Sequence, residues 1–107
     1  ADPRVEQHEG LSVPFLASRA DASFDMIYVD ADHGYDAVRA DIAAAASKVK
    51  PGGFLVFNDF AHIIRRGFGV LGVHQAVCEF AAQSGWPVAF FCLEGEALYD
   101  IALRRPE

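Results

Sequence analysis

Five residues able to do chemistry fall in two short loops. Asp30, Asp32 and His33 lie in the stretch Asp30-Ala31-Asp32-His33-Gly34, and Asn58 and Asp59 follow Phe57. Three carboxylates and an amide make an oxygen-rich set if the two loops are neighbours. Such a set suits Mg²⁺, which takes carboxylate and carbonyl oxygens and keeps several waters. A metal held there would lower the pKa of a hydroxyl bound to it. His33 suits another task. Imidazole titrates near neutral pH, so it can take a proton from an acceptor as a general base. Each residue also has a plainer use: Asp32 or His33 can accept from the first free amides of a helix, and Asp59 can brace the loop after it.

The pattern around the loops indicates the elements that must position them. Phe24–Val29 is a near-continuous apolar run, which predicts a strand buried on both faces. Val38, Ile42 and Ala45 then recur at helical spacing, predicting a helix over 35–49 with Arg39, Asp41 and Lys48 on its outer face. Pro51-Gly52-Gly53 breaks that helix, and residues 54–57 form a second buried strand. Both polar loops then sit at carboxyl ends of parallel strands. Open α/β sheets bind their ligands at that edge.

The remaining segments extend the same scheme. Residues 1–10 are polar and read as a short edge strand or a frayed end. Ser12 can cap a short helix over 13–18, with Leu11, Phe15 and Leu16 toward the core. Residues 61–72 form a loop holding Ile63-Ile64 and Gly67, Gly69 and Gly72, either a surface connection or a lid. A helix beginning near residue 70 or 73 and ending at Ser84 turns Val73, Val77, Phe80 and Ala81 inward. Strands over 87–93 and 98–103 are joined by Glu94-Gly95-Glu96, so short a turn that the pair must be antiparallel.

Composition excludes several classes. The 107 residues suffice for one small domain, and 52% of them are hydrophobic, which suits a buried sheet or part of a larger domain. A formal net charge of −6 and the absence of a basic stripe argue against tracking nucleic-acid phosphates. No apolar run approaches the roughly 18 residues of a membrane span. Residues 1–10 lack the basic and apolar regions of a signal peptide, so a cytoplasmic protein is expected. Cys78 and Cys92 sit in apolar contexts and read as buried, reduced thiols. His62, His74 and Trp86 read as structural or exposed residues.

The motifs FDMIYVDADHGYDAV, VKPGGFLVFNDF and GVHQAV, with the closing hairpin, resemble the carboxyl-terminal half of class I S-adenosylmethionine-dependent methyltransferases. The nearest branch ends its fourth strand in an aspartate–x–aspartate–histidine loop. The resemblance runs from about Gly10 to Arg105. It implies a Rossmann-like α/β sheet, mostly parallel, with a carboxyl-terminal antiparallel hairpin. No GxGxG motif occurs in residues 1–30, so the chain reads as one partial domain over 1–107, without the first two strands of that fold.

The resemblance also implies roles. S-adenosylmethionine is the cofactor, with Asp30 and Ala31 beside the methyl donor and Ser12 in the loop that contacts its adenine. Asp30 and His33 are the catalytic candidates, acting on the hydroxyl of a small-molecule substrate. Metal-dependent relatives carry an Asp-Asn pair after the fifth strand, and here the order is Asn58-Asp59, making Asp30, Asn58 and Asp59 the candidate Mg²⁺ ligands. Two rival readings stand beside this one. A domain without the glycine-rich loop can serve in assembly, as a homo-oligomer joined through an exposed sheet edge. A Mg²⁺-dependent α/β enzyme of another class could use the acidic loops for phosphoryl chemistry, although no P-loop lysine motif is present.

Overall fold

Backbone hydrogen bonds must be satisfied inside a small domain, and among the described residues they run through a four-stranded sheet, a two-stranded hairpin, three α-helices and a 3₁₀ turn. The computed structural model describes residues 2–30, 34–58, 60, 63–64, 69–70, 72–95 and 98–107. The elements run α1 (Ser12–Ala17), β1 (Phe24–Val29), α2 (Tyr35–Ala45), a 3₁₀ turn (Ala46–Lys48), β2 (Val49–Phe57), β3 (Ile63–Ile64), β4 (Gly69–Val70), α3 (Gly72–Ser84), β5 (Val88–Gly95) and β6 (Leu98–Arg104). The main sheet has the order β1-β2-β6-β5. β1 and β2 are parallel, while β6 is antiparallel to both β2 and β5.

The α/β class, the β1–α2–β2 crossover and the closing hairpin agree with the sequence reading. Several details differ. Residues 2–10 pair with no strand of the sheet. α2 ends at Ala45, and β2 begins at Val49, so Pro51-Gly52-Gly53 lies inside a strand rather than before one. Gly52 adopts φ +81°, a left-handed conformation that glycine enters without steric cost, and the β1–β2 register shifts between Phe24 and Met26. The Ile63-Ile64 pair belongs to a small antiparallel hairpin with Gly69–Val70. Residues 61–62, 65–68 and 71 lie outside the described residues, and so does the choice between a lid and a surface connection.

One face of the sheet holds the core. Leu16 of α1, Val38, Ile42 and Ala45 of α2, and Val73, Ala76 and Val77 of α3 pack with Leu55, Phe57, Ile101 and Leu103 of the sheet. Trp86 joins this cluster edge-on to Phe80, with ring centroids 5.0 Å apart. The opposite face carries a row that crosses all four strands: Tyr28, Val56, Ala102 and Phe90. Met26, Tyr28 and Phe90 on that face are 55%, 46% and 44% exposed. β1 is therefore not buried on both faces as its sequence predicts, because all three helices cover the same side. The cysteines are free, as expected, but exposed rather than buried. Cys78 lies on α3, and Cys92 alternates onto the uncovered face opposite Asp100.

α2 and α3 follow the two polar loops and touch at their amino ends. A Cβ on Gly72 would collide with the backbone of Tyr35 and Gly34, which neither helix can relieve without shifting. Gly72→Ala should therefore destabilise the fold by about 1–3 kcal/mol, the usual cost of overpacking. Thermal or urea denaturation checks this, and a stability equal to the parent's would show that the contact is not constraining.

Candidate functional site

The parallel ladder ends both strands at one level. Val29 pairs with Phe57, and the Asn58 amide donates to the Val29 carbonyl at 3.0 Å. Asp30 and Asn58 are the next residues on each strand, so the crossover topology makes them neighbours at the carboxyl edge. Asp30 is exposed there, and Asn58 is half-buried. Ala31, Asp32, His33, Asp59 and His62 lie outside the described residues. The structure thus brings together Asp30 and Asn58 of the five loop residues singled out above.

Asn58 has partners that its sequence context does not reveal. Its Nδ2 donates to Asp100 Oδ1 at 2.9 Å and to the Tyr28 hydroxyl at 3.1 Å. Tyr28 in turn donates to Asp100 Oδ2 at 2.7 Å. β1 and β6 contribute one side chain each, the residue just past β2 contributes the third, and the closed triangle fixes the orientation of the Asn58 amide. The amide nitrogen is committed to Asp100 and Tyr28. Among the described residues no group of three or more His, Cys, Asp or Glu side chains could hold a metal ion. The chain after Asn58 is tied down as well, by the Phe60 amide donating to the Tyr99 carbonyl at 2.7 Å.

Ser12 is the first residue of α1, and Leu11 is its N-cap, so Ser12 does not cap the helix. Its hydroxyl donates instead to Asp41 Oδ1 of α2 at 2.5 Å. Asp41 is only 5% exposed, whereas its sequence position reads as the outer helix face. The signal was present: Val38, Asp41, Ile42 and Ala45 form an i, i+3, i+4, i+7 stripe, and a charged residue within such a stripe needs a partner. Ser12 and Asp41 line a cavity of about 670 Å³ together with Glu6, Gly10, Leu11 and Ala37.

The third feature braces the helix behind the first loop. Tyr35 opens α2, and its hydroxyl donates to Glu79 Oε2 of α3 at 2.5 Å. Gln75 donates to the other Glu79 oxygen at 3.1 Å. The hydrogen bond to Glu79 raises the Tyr35 phenol above its ordinary value, and the same bond holds the Glu79 carboxyl below its own. His74 faces the Phe60 ring at 4.9 Å and Cys78 at 3.9 Å, in keeping with a structural role. Partial desolvation raises the Cys78 thiol, away from the thiolate a nucleophile requires.

Comparison with known proteins matches this geometry to a family. A family model described as a methyltransferase domain matches residues 1–60. The chain belongs to that methyltransferase-domain family, and its fold is that of the class I S-adenosylmethionine-dependent methyltransferases. A protein of Corynebacterium glutamicum superposes with a TM-score of 0.71 at 17% identity, covering 92% of this chain and 46% of its own. A Thermus thermophilus protein called a DNA modification methylase, solved with S-adenosyl-L-methionine, gives 0.63 at 18% identity over 92% and 52%. A protein of Methanosarcina mazei, described as an S-adenosylmethionine-dependent methyltransferase, gives 0.58 at 13% identity over 83% and 62%. The chain spans about half the length of the first two structures. No curated protein matches it.

The Tyr35–Glu79 contact has a pH window. Tyr35 has a raised phenol, so its contribution is present below the ordinary phenol value and lost as pH rises through the folded one. Glu79 is depressed, so its contribution is present above the ordinary carboxyl value and lost as pH falls. Ultraviolet titration should find the Tyr35 phenolate forming at higher pH than in Glu79→Gln. Identical titration curves would show that the bond does not persist in solution.

Proposed function

We propose that the protein transfers a methyl group from S-adenosylmethionine to the hydroxyl of a small-molecule acceptor at the carboxyl edge of β1 and β2. One observation carries this reading: the parallel ladder sets Asp30 and Asn58 side by side at the carboxyl edge of the strands, where open α/β sheets bind their ligands. In this reading Asp30 and Ala31 lie against the donor, and Ser12 meets its adenine end. The cavity beside Ser12, with apolar Leu11 and Ala37 and acidic Glu6, has the character a purine ring and its amine require.

The reaction is an in-line displacement. The acceptor oxygen forms a bond to the methyl carbon as the carbon–sulfur bond breaks, and the electron pair of that bond neutralises the sulfonium. The acceptor's proton must leave, and His33 is the base assigned to take it. The edge positions both reactants, which accounts for most of what such a displacement needs. A net charge of −6 favours a small acceptor over a polyanionic nucleic acid. The name of the Thermus neighbour remains a description of that protein. No helix among the described residues is long and apolar enough to cross a membrane.

Calorimetric titration with S-adenosylhomocysteine tests the donor site. Micromolar binding is expected, with Asp30→Ala weakening it about 10- to 100-fold, the range for a lost hydrogen bond to a charged group. No binding by the parent would overturn the donor reading and favour the assembly module, joined through the free edge of β1. Unchanged binding by Asp30→Ala would remove Asp30 from the site.

A Mg²⁺-assisted version assigns Asp30, Asn58 and Asp59 as the residues that would hold the ion. The bound ion would make the acceptor hydroxyl more acidic. Turnover in excess chelator, restored by added Mg²⁺, decides the point. Chelator should stop the reaction if the ion takes part, and full activity in chelator assigns proton removal to His33 alone.

A further inference from the structure

A carboxylate accepts hydrogen bonds and has none to give. The proton in the 2.5 Å contact between Ser12 Oγ and Asp41 Oδ1 is therefore the serine's. With its one proton committed, the Ser12 hydroxyl offers only lone pairs to anything else that approaches it. Both residues line the cavity, Ser12 exposed and Asp41 only 5% exposed. The buried acid thus turns a hydroxyl able to donate or accept into an acceptor.

Stability alone does not explain the pair. Asp41 occupies the apolar stripe of α2 with Val38, Ile42 and Ala45, where a well-packed apolar side chain is often as stable as a buried charge. Nor does Ser12 cap α1, whose N-cap is Leu11. A carboxylate kept inside the apolar stripe of α2, bonded to an exposed hydroxyl on the cavity wall, fixes a hydrogen-bond direction.

We propose that Asp41 is a positioning residue that makes Ser12 an acceptor and thereby makes this end of the site select a 6-amino purine over a 6-oxo purine. The inference rests on the reading that Ser12 meets the donor's adenine. An exocyclic amine donates to the Ser12 oxygen, whereas a 6-oxo group would set two acceptors against each other. A site built around one hydrogen-bond direction rejects the ligand of opposite polarity, because a buried polar group is then left unpaired.

The test uses the protein that carries this chain and two probes, S-adenosylhomocysteine and its 6-oxo counterpart S-inosylhomocysteine, in calorimetric titrations. The parent should prefer the amino form by at least about tenfold, one hydrogen bond's worth of discrimination. Asp41→Asn keeps the size of the side chain but can donate to Ser12, so the preference should fall to about threefold or less. Ser12→Ala should lose it as well, and Ser12→Thr should retain it. Melting temperatures identify any variant that is unfolded, and Asp41→Leu, apolar and of similar bulk, then replaces Asp41→Asn. A parent without preference overturns the inference, as does an Asp41→Asn variant that keeps the full preference while Ser12→Ala loses it. If Ser12→Ala changes the binding of neither probe, the reading of Ser12 as a donor contact fails first and takes the inference with it.

Discussion

The parallel pairing of β1 with β2 is the constraint on which everything else depends. Two parallel neighbours cannot be joined by a tight turn, so the chain between them must cross the sheet, and it does so as α2. The crossover returns β2 beside β1 with both carboxyl ends pointing the same way. The bond from the Asn58 amide to the Val29 carbonyl closes the ladder at its last rung. Asp30 and Asn58 become neighbours although 28 positions separate them in sequence, as their numbers show. The hairpin then adds β6 to the other side of β2, and Asp100 arrives within reach of Asn58 and Tyr28.

That arrangement leaves the sheet with two unlike faces. One is sealed by α1, α2 and α3 over Leu55, Phe57, Ile101 and Leu103. The other exposes Met26, Tyr28 and Phe90. The polar contacts follow the same division. Ser12–Asp41 and Tyr35–Glu79 tie helices to one another on the sealed side, while Tyr28, Asn58 and Asp100 lock three strands together on the open one. Both sets lie beside the segments that would surround a ligand at the edge: the entry to α1, the loop after β1 and the loop after β2.

Much of this was legible in the residues. The bounds of β1, the start of α2 and the antiparallel hairpin follow from apolar runs, helical spacing and turn length, which are local signals. Pro51-Gly52-Gly53 misled because glycine pairs suggest a turn, yet here a positive φ at Gly52 is accommodated within β2 by an irregular register. The exposed face of β1 could not be read either. A continuous apolar run predicts two covered faces, but which faces are covered depends on where α1 and α3 dock, and that is a tertiary fact. Of the site, the sequence pointed to Asp30 and Asn58 through their place after apolar runs. It missed Asp41 and Asp100, whose importance comes from partners 29 and 42 positions away.

The central claim is that a donor lies across the carboxyl ends of β1 and β2 and reaches the start of α1. Amide chemical-shift mapping of the labelled protein on addition of S-adenosylhomocysteine tests it most directly. The account predicts that the largest shifts fall on Gly10, Leu11, Ser12, Asp30, Gly34 and Asn58. Shifts confined to α3 and β5, with those residues unmoved, would contradict it.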